Sequence, residues 1–183
     1  MFTADAGDHW RLRRPVQDAF HPKRVDAMRP RITRIVNELL DQRALAADGG
    51  GPVDLKRHFA LEVPLRVICD LFGVPEPDRP RIHGLCDTAF DQGRPGVDHA
   101  AAFAELRKEL ANLAAAKKHN PGDDLTSVLV NDPNSLTRDE LVDTLVLLVG
   151  AGHETTVNLI TNSVHALLTH PDQYTLVRAR QLC

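Results

Sequence analysis

A chain of 183 residues with 43% hydrophobic and 26% charged side chains can bury one sizeable core, and its 12 Pro and 11 Gly exclude collagen-like or low-complexity character. The balance of 22 Lys+Arg against 25 Asp+Glu, a formal charge of -3, gives no reason to expect nucleic acid or a membrane surface as the main partner. Cys69, Cys86 and Cys183 are too few and too scattered for a disulfide framework or a zinc site, so a reducing, cytoplasmic setting is expected.

The periodicity is helical nearly throughout, which predicts an all-α fold. Met1 to Asp8 lack the cationic and apolar regions of a signal peptide. Leu12, Val16, Ala19 and Phe20 then form the core face of a first helix. Val25, Met28, Ile32, Ile35, Val36, Leu39 and Leu40 make one apolar stripe on a helix from about Pro22 to Ala47, stopped by Gly49-Gly50-Gly51. Leu55 to Phe72 reads as another long helix, with Pro64 kinking it or marking its first turns. Glu76 to Phe90 and Asp98 to Lys118 are two more, joined by Gly93, Pro95 and Gly96, and Asp124 to Val130 is a short one. Thr137-Arg138-Asp139-Glu140 is a capping box that opens the last long helix, which runs to about Thr169 before His170-Pro171. Its length of roughly 48 Å spans a whole domain. Five consecutive apolar residues, Leu145 to Val149, cover every side of that helix and predict burial all round. No apolar run reaches the ~20 residues of a membrane span.

Two constellations could carry chemistry. His9 and Arg13 are four residues apart, so they stack on one helix face. They form either a solvated basic surface or a clamp for a carboxylate or phosphate. In Gly150-Ala151-Gly152-His153-Glu154-Thr155-Thr156, two glycines interrupt a buried helix at roughly 1 kcal/mol each, so something must approach the backbone closely. Glu154 and the threonines need partners or a ligand, and a threonine can bond the carbonyl one turn back. Asn158, Thr161, Asn162 and His165 extend the polar strip. This is either a polar seam between helices or an acid–alcohol pair that moves protons. His153-Glu154 is no zincin pair, because Val157 stands where the second His belongs. No nucleotide-binding glycine motif and no nucleophile elbow is present. His58, His83, His99 and His119 are isolated and read as surface or satisfied core residues, and Cys69 and Cys86 as plain buried thiols.

Gly150-Ala151-Gly152-His153-Glu154-Thr155-Thr156 followed by His170-Pro171-Asp172-Gln173 resembles the long central helix and next helix start of soluble bacterial cytochromes P-450. His9-Trp10-Arg11-Leu12-Arg13-Arg14 with Ala19-Phe20 is similar to that family's helix C, and Val67 to Pro75 and Gly122 to Leu125 match further segments. The resemblance covers essentially the whole chain. It implies a helical prism around haem, with residues 1–183 as a single incomplete domain. It implies that His9 and Arg13 bind the haem propionates, with Trp10 and Arg14 as a second possible register. Ala151 and Gly152 would lie over the haem, Leu147 and Gly150 would face the substrate pocket, and Glu154 and Thr155 would be the proton-delivering pair. The implied activity is monooxygenation of a small, largely apolar substrate with electrons from a ferredoxin-type partner.

The family's Glu-x-x-Arg helix and cysteine loop do not follow Gln173, the text after Arg178 departs from the family, and Cys183 is no credible axial ligand. The chain is therefore expected to be a middle fragment, inactive alone, loosely packed and prone to self-association through an exposed apolar helix. The alternative is a non-catalytic helical remnant of a truncated or frameshifted gene, or an interaction module.

Overall fold

The computed structural model describes residues 6–47, 52–90, 96–132 and 136–180. Eight α-helices account for most of them: α1 (Ala6–Ala19), α2 (Pro22–Ala47), α3 (Glu62–Phe72), α4 (Arg79–Phe90), α5 (His99–His119), α6 (Leu125–Val130), α7 (Arg138–Thr169) and α8 (Pro171–Arg180). A π-helical turn, Lys56–Ala60, precedes α3, and a 3-10 turn, Glu76–Asp78, precedes α4. There is no strand among the described residues. The Gly49 to Gly51 linker, Gly93, Pro95 and Cys183 lie outside them.

Short polar side chains start the helices where the pattern requires. Asp98 accepts from Ala101 N at 2.9 Å at the head of α5, and Asp124 accepts from Ser127 N at 2.8 Å at the head of α6. Thr137 and Glu140 close the expected capping box of α7 from both sides. Gly73 ends α3 at φ 68, in a Schellman arrangement with Gly73 N bonded to the Asp70 carbonyl and Val74 N to that of Cys69. Pro64 falls in the first turn of α3, where a missing N–H costs little.

The core lies along α7. α5 packs on one flank together with α4 and α6, α3 packs on another, and α2 lies outside α3. Leu65, Cys69, Phe72, Cys86, Leu106, Leu110, Leu129, Leu145 and Val149 form the fully buried centre of one continuous cluster. Ile35, Leu39 and Val63 make a smaller one between α2 and α3.

Three packing expectations need correction. The α2 stripe is buried only at Ile35 and Leu39, which cluster with Val63 of α3, and Val25 and Leu40 are exposed. Phe20 is exposed at the end of α1 rather than part of its core face. Leu145, Val146 and Val149 are buried, whereas Leu147 and Leu148 are half-buried, so α7 is not enclosed on every side.

Candidate active site

Beyond Val149, α7 divides into two faces. His153 and Val157 continue the buried one. Leu147, Gly150, Ala151, Glu154 and Thr155 follow a three- and four-residue spacing and share the other, where Ala151, Glu154 and Thr155 are exposed and Leu147 and Gly150 half-buried. Gly152 sits half-buried at the edge of this strip. Asn158, Asn162 and His165 continue it as exposed side chains, not as a seam packed between helices.

The glycines have local partners. A Cβ on Gly150 would stand 3.2 Å from Cε1 of Phe90, whose ring reaches across from α4. A Cβ on Gly152 would meet Ile68 Cδ1 of α3 at 3.6 Å, an ordinary contact. Close approach by Phe90 thus explains the first glycine, while the second has room for a small side chain on the protein side.

Thr155 Oγ1 donates to the Ala151 carbonyl at 2.5 Å. Thr144 and Thr161 bond back one turn in the same way. The helix nonetheless stays continuous from Arg138 to Thr169, so these bonds fix hydroxyl direction without opening the rod.

α1 is fastened to the start of α7. Arg11 Nη2 donates to Glu140 Oε1 at 2.5 Å and Nη1 to Oε2 at 3.2 Å, a forked pair. The guanidinium beside it holds the Glu140 carboxyl down at about 2, helped by the Thr137 backbone N–H. Glu154 lies some 14 residues further along, ~21 Å by helix rise. Half-buried His9 and exposed Arg13 make no side-chain hydrogen bond or ion pair with a described residue. Arg14 lies 4.0 Å from Asp18 and Trp10 is 64% exposed. Of these four side chains only Arg14 has an ion-pair partner among the described residues.

Some features were invisible in the sequence. Arg11 is separated from Glu140 by 129 positions, so no local pattern joins them. His153 is 5% exposed, and its ring nitrogens make no well-formed hydrogen bond among the described residues, the Leu61 backbone being a polar group close to the ring. Burial pushes its pKa below the ordinary imidazole value. It borders a cavity of about 660 Å³ with Glu154, Asp87, Phe90 and the π-helical turn. His83 likewise keeps Nε2 unpartnered, against the expectation of a satisfied histidine, while His99 Nδ1 meets the Thr88 carbonyl at 2.7 Å.

Over 181 residues the chain is 43% identical to vitamin D(3) 25-hydroxylase of Pseudonocardia autotrophica, covering 97% of this chain and 44% of that protein. It is 40% identical to the cytochrome P-450 monooxygenase PikC of Streptomyces venezuelae, over 98% of this chain and 43% of that one. The structure matches the LnmA cytochrome P-450 hydroxylase of Streptomyces atroolivaceus with a TM-score of 0.87 at 37% identity, over 98% of this chain and 46% of that one. This chain corresponds to the middle part of a bacterial cytochrome P-450. It spans less than half the length of these relatives. No protein-family model matches it.

Cytochromes P-450 imply haem as the cofactor. The residues present fit its edge and face. Two uncommitted basic side chains stand on α1, and α7 offers a small residue, Ala151, on its open side. Neither cysteine among the described residues would offer a thiolate to such a group. Cys69 and Cys86 are wholly buried, and burial pushes their thiols up to about 11 and about 12. No described helix is long and apolar enough to cross a membrane.

Proposed function

We propose that this chain supplies the α1 clamp and the α7 face of a haem-dependent monooxygenase. Its substrate is a small, largely apolar molecule, and its electrons come from a ferredoxin-type partner. The observation that carries this reading is the α7 strip, where an oriented hydroxyl and a carboxylate stand on the open side of a helix that is otherwise core. In this reading His9 and Arg13 hold the propionates by charge-assisted hydrogen bonds. Ala151 and Gly152 leave room for the ring, and Leu147 and Gly150 border the substrate. Haem supplies the oxygen-activating chemistry when bound.

The protein side of that chemistry is proton supply. Thr155 already donates its proton to Ala151 O, so its free lone pairs accept from water and hold that water on the open face. Glu154, one residue back and exposed, exchanges protons with solvent and replenishes that water. In haem-loaded protein, Thr155→Ala should uncouple oxygen consumption from product formation, and Glu154→Gln should slow turnover on the order of 10²-fold with an enlarged solvent isotope effect. Unchanged coupling in Thr155→Ala would remove Thr155 from the relay.

The buried state of Cys69 and Cys86 favours a second reading, a helical module without catalysis of its own. The carbon monoxide difference spectrum of the chain, reconstituted with haemin and reduced by dithionite, separates the two. A red-shifted Soret band means that a thiolate reaches the iron. A spectrum of free or histidine-ligated haem assigns catalysis to a larger assembly.

A further inference from the structure

A second cavity, of about 320 Å³, opens between the end of α5, α6 and the start of α7, away from the α7 strip. Its wall is apolar: Ala111, Ala114, Val130, Leu136 and Leu141. Among the described residues its polar lining is Lys118, His119 and Arg138, with no carboxylate. This sets it apart. The cavities around Arg31 and Asp70, around Arg57 and Glu154, and around Arg79 and Glu62 each mix cations with carboxylates, in a chain whose formal charge is -3.

The cations are also unspent. None of the three side chains makes a hydrogen bond or ion pair with a described residue. Of the acids in the first turns of α7, Glu140 is held by Arg11 and Asp143 by Arg107, while Asp139, next to Arg138 in sequence, is exposed and does not line the pit. Lys118 and His119 lie in the last turn of α5, where a cation is favoured by the helix dipole. Arg138 is the first residue of α7, where the dipole disfavours one. Helix electrostatics therefore account for two of the three and not for Arg138.

We propose that this pit binds a small amphiphilic anion, a medium-chain carboxylate, with the tail against Ala114 and Leu141 and the head held by Arg138 and Lys118. Size and lining agree with a small-molecule site, an apolar hollow with a few convergent polar groups. An arginine fork at the mouth suits a carboxylate better than a neutral head. The inference is independent of the haem reading, since none of these residues belongs to the α7 strip.

The test uses the chain as it is, with decanoate below its micelle concentration as the probe and decan-1-ol as the neutral control, read by calorimetry and by amide NMR shifts. Saturable binding at one site is expected, with the largest shifts near Ala114 and Arg138 and decanol at least tenfold weaker. The double variant Lys118→Glu/Arg138→Glu, both at exposed positions, should weaken decanoate at least tenfold while leaving the circular dichroism unchanged. Leu159→Ser/Leu168→Ser, on the open apolar part of α7, should leave it unaffected. Absence of binding, equal affinity for decanol, insensitivity to the charge reversal, or loss of binding in the Leu159/Leu168 variant would each overturn the proposal.

Discussion

Gly73 shows how much a single position can carry. It turns the chain at φ 68, and a Cβ there would strike the Asp124 carboxylate, which caps α6 and meets Lys117 Nζ at 2.6 Å. Gly73→Ala combines left-handed strain with that clash and should cost about 2 kcal/mol or more in urea denaturation. His153 is a residue-scale constraint of a different kind. Its folded pKa lies below the ordinary 6.5, because the buried ring resists charge. The unfolded state then binds the proton more readily, so stability falls as pH drops through about 6.5 and below. His83 is shifted the same way. His153→Phe should flatten the stability profile between about pH 7 and 5, measured by denaturant midpoints, with His83 supplying the remaining slope. Cys69 and Cys86 should resist a thiol reagent in the native chain and react on unfolding, as counted by mass spectrometry. The two thiols were readable as buried from their apolar surroundings. The buried imidazole of His153 was not, because its sequence neighbours Glu154 and Thr155 are exposed and the walls that bury it come from elsewhere in the chain.

At the scale of elements, the start of α7 joins local and distant interactions in one carboxylate. Glu140 closes the capping box with Thr137 and at the same time receives Arg11 from α1. Thr137→Ala should destabilise by about 1 kcal/mol, the usual worth of an N-cap side chain. Glu140 is held down at about 2, so the stability it adds is fully present above the ordinary carboxylate range near 4.5 and disappears as pH falls toward about 2. Glu140→Gln should remove that acid-side loss and loosen α1, seen as faster amide exchange over α1 than over α5. The capping box was legible from four consecutive residues. The Arg11 fork was not, and Arg11 stood in the sequence as one more member of a basic run. Helix ends were legible wherever a cap or a proline marks them, while the π-turn at Lys56–Ala60 was absorbed into one long helix because its spacing remains helical.

For the whole molecule, the uneven covering of α7 matters most. Its first half is core. Further on, Leu159 is 66% and Leu168 75% exposed, with Leu176 and Val177 of α8 also open. Large apolar side chains left open in this number favour association. Sedimentation should find the chain self-associating at micromolar concentration, and Leu159→Ser/Leu168→Ser should shift it toward monomer. The relatives are more than twice as long as the chain, and in them a longer polypeptide accompanies this segment.

The sequence by itself determined the helices, their caps, the buried thiols and the grouping of Leu147, Gly150, Ala151, Glu154 and Thr155 on one α7 face, since each depends on residues within about four positions of one another. The tertiary structure decided what the sequence could not. It placed Phe90 against Gly150, spent Arg11 on Glu140, and left His9, Arg13, Lys118 and Arg138 without a hydrogen-bond or ion-pair partner among the described residues. It also set which half of α7 faces the core. Those outcomes rest on contacts between positions far apart in the chain, and only the packing of α3, α4, α5 and α6 around α7 brings such positions together.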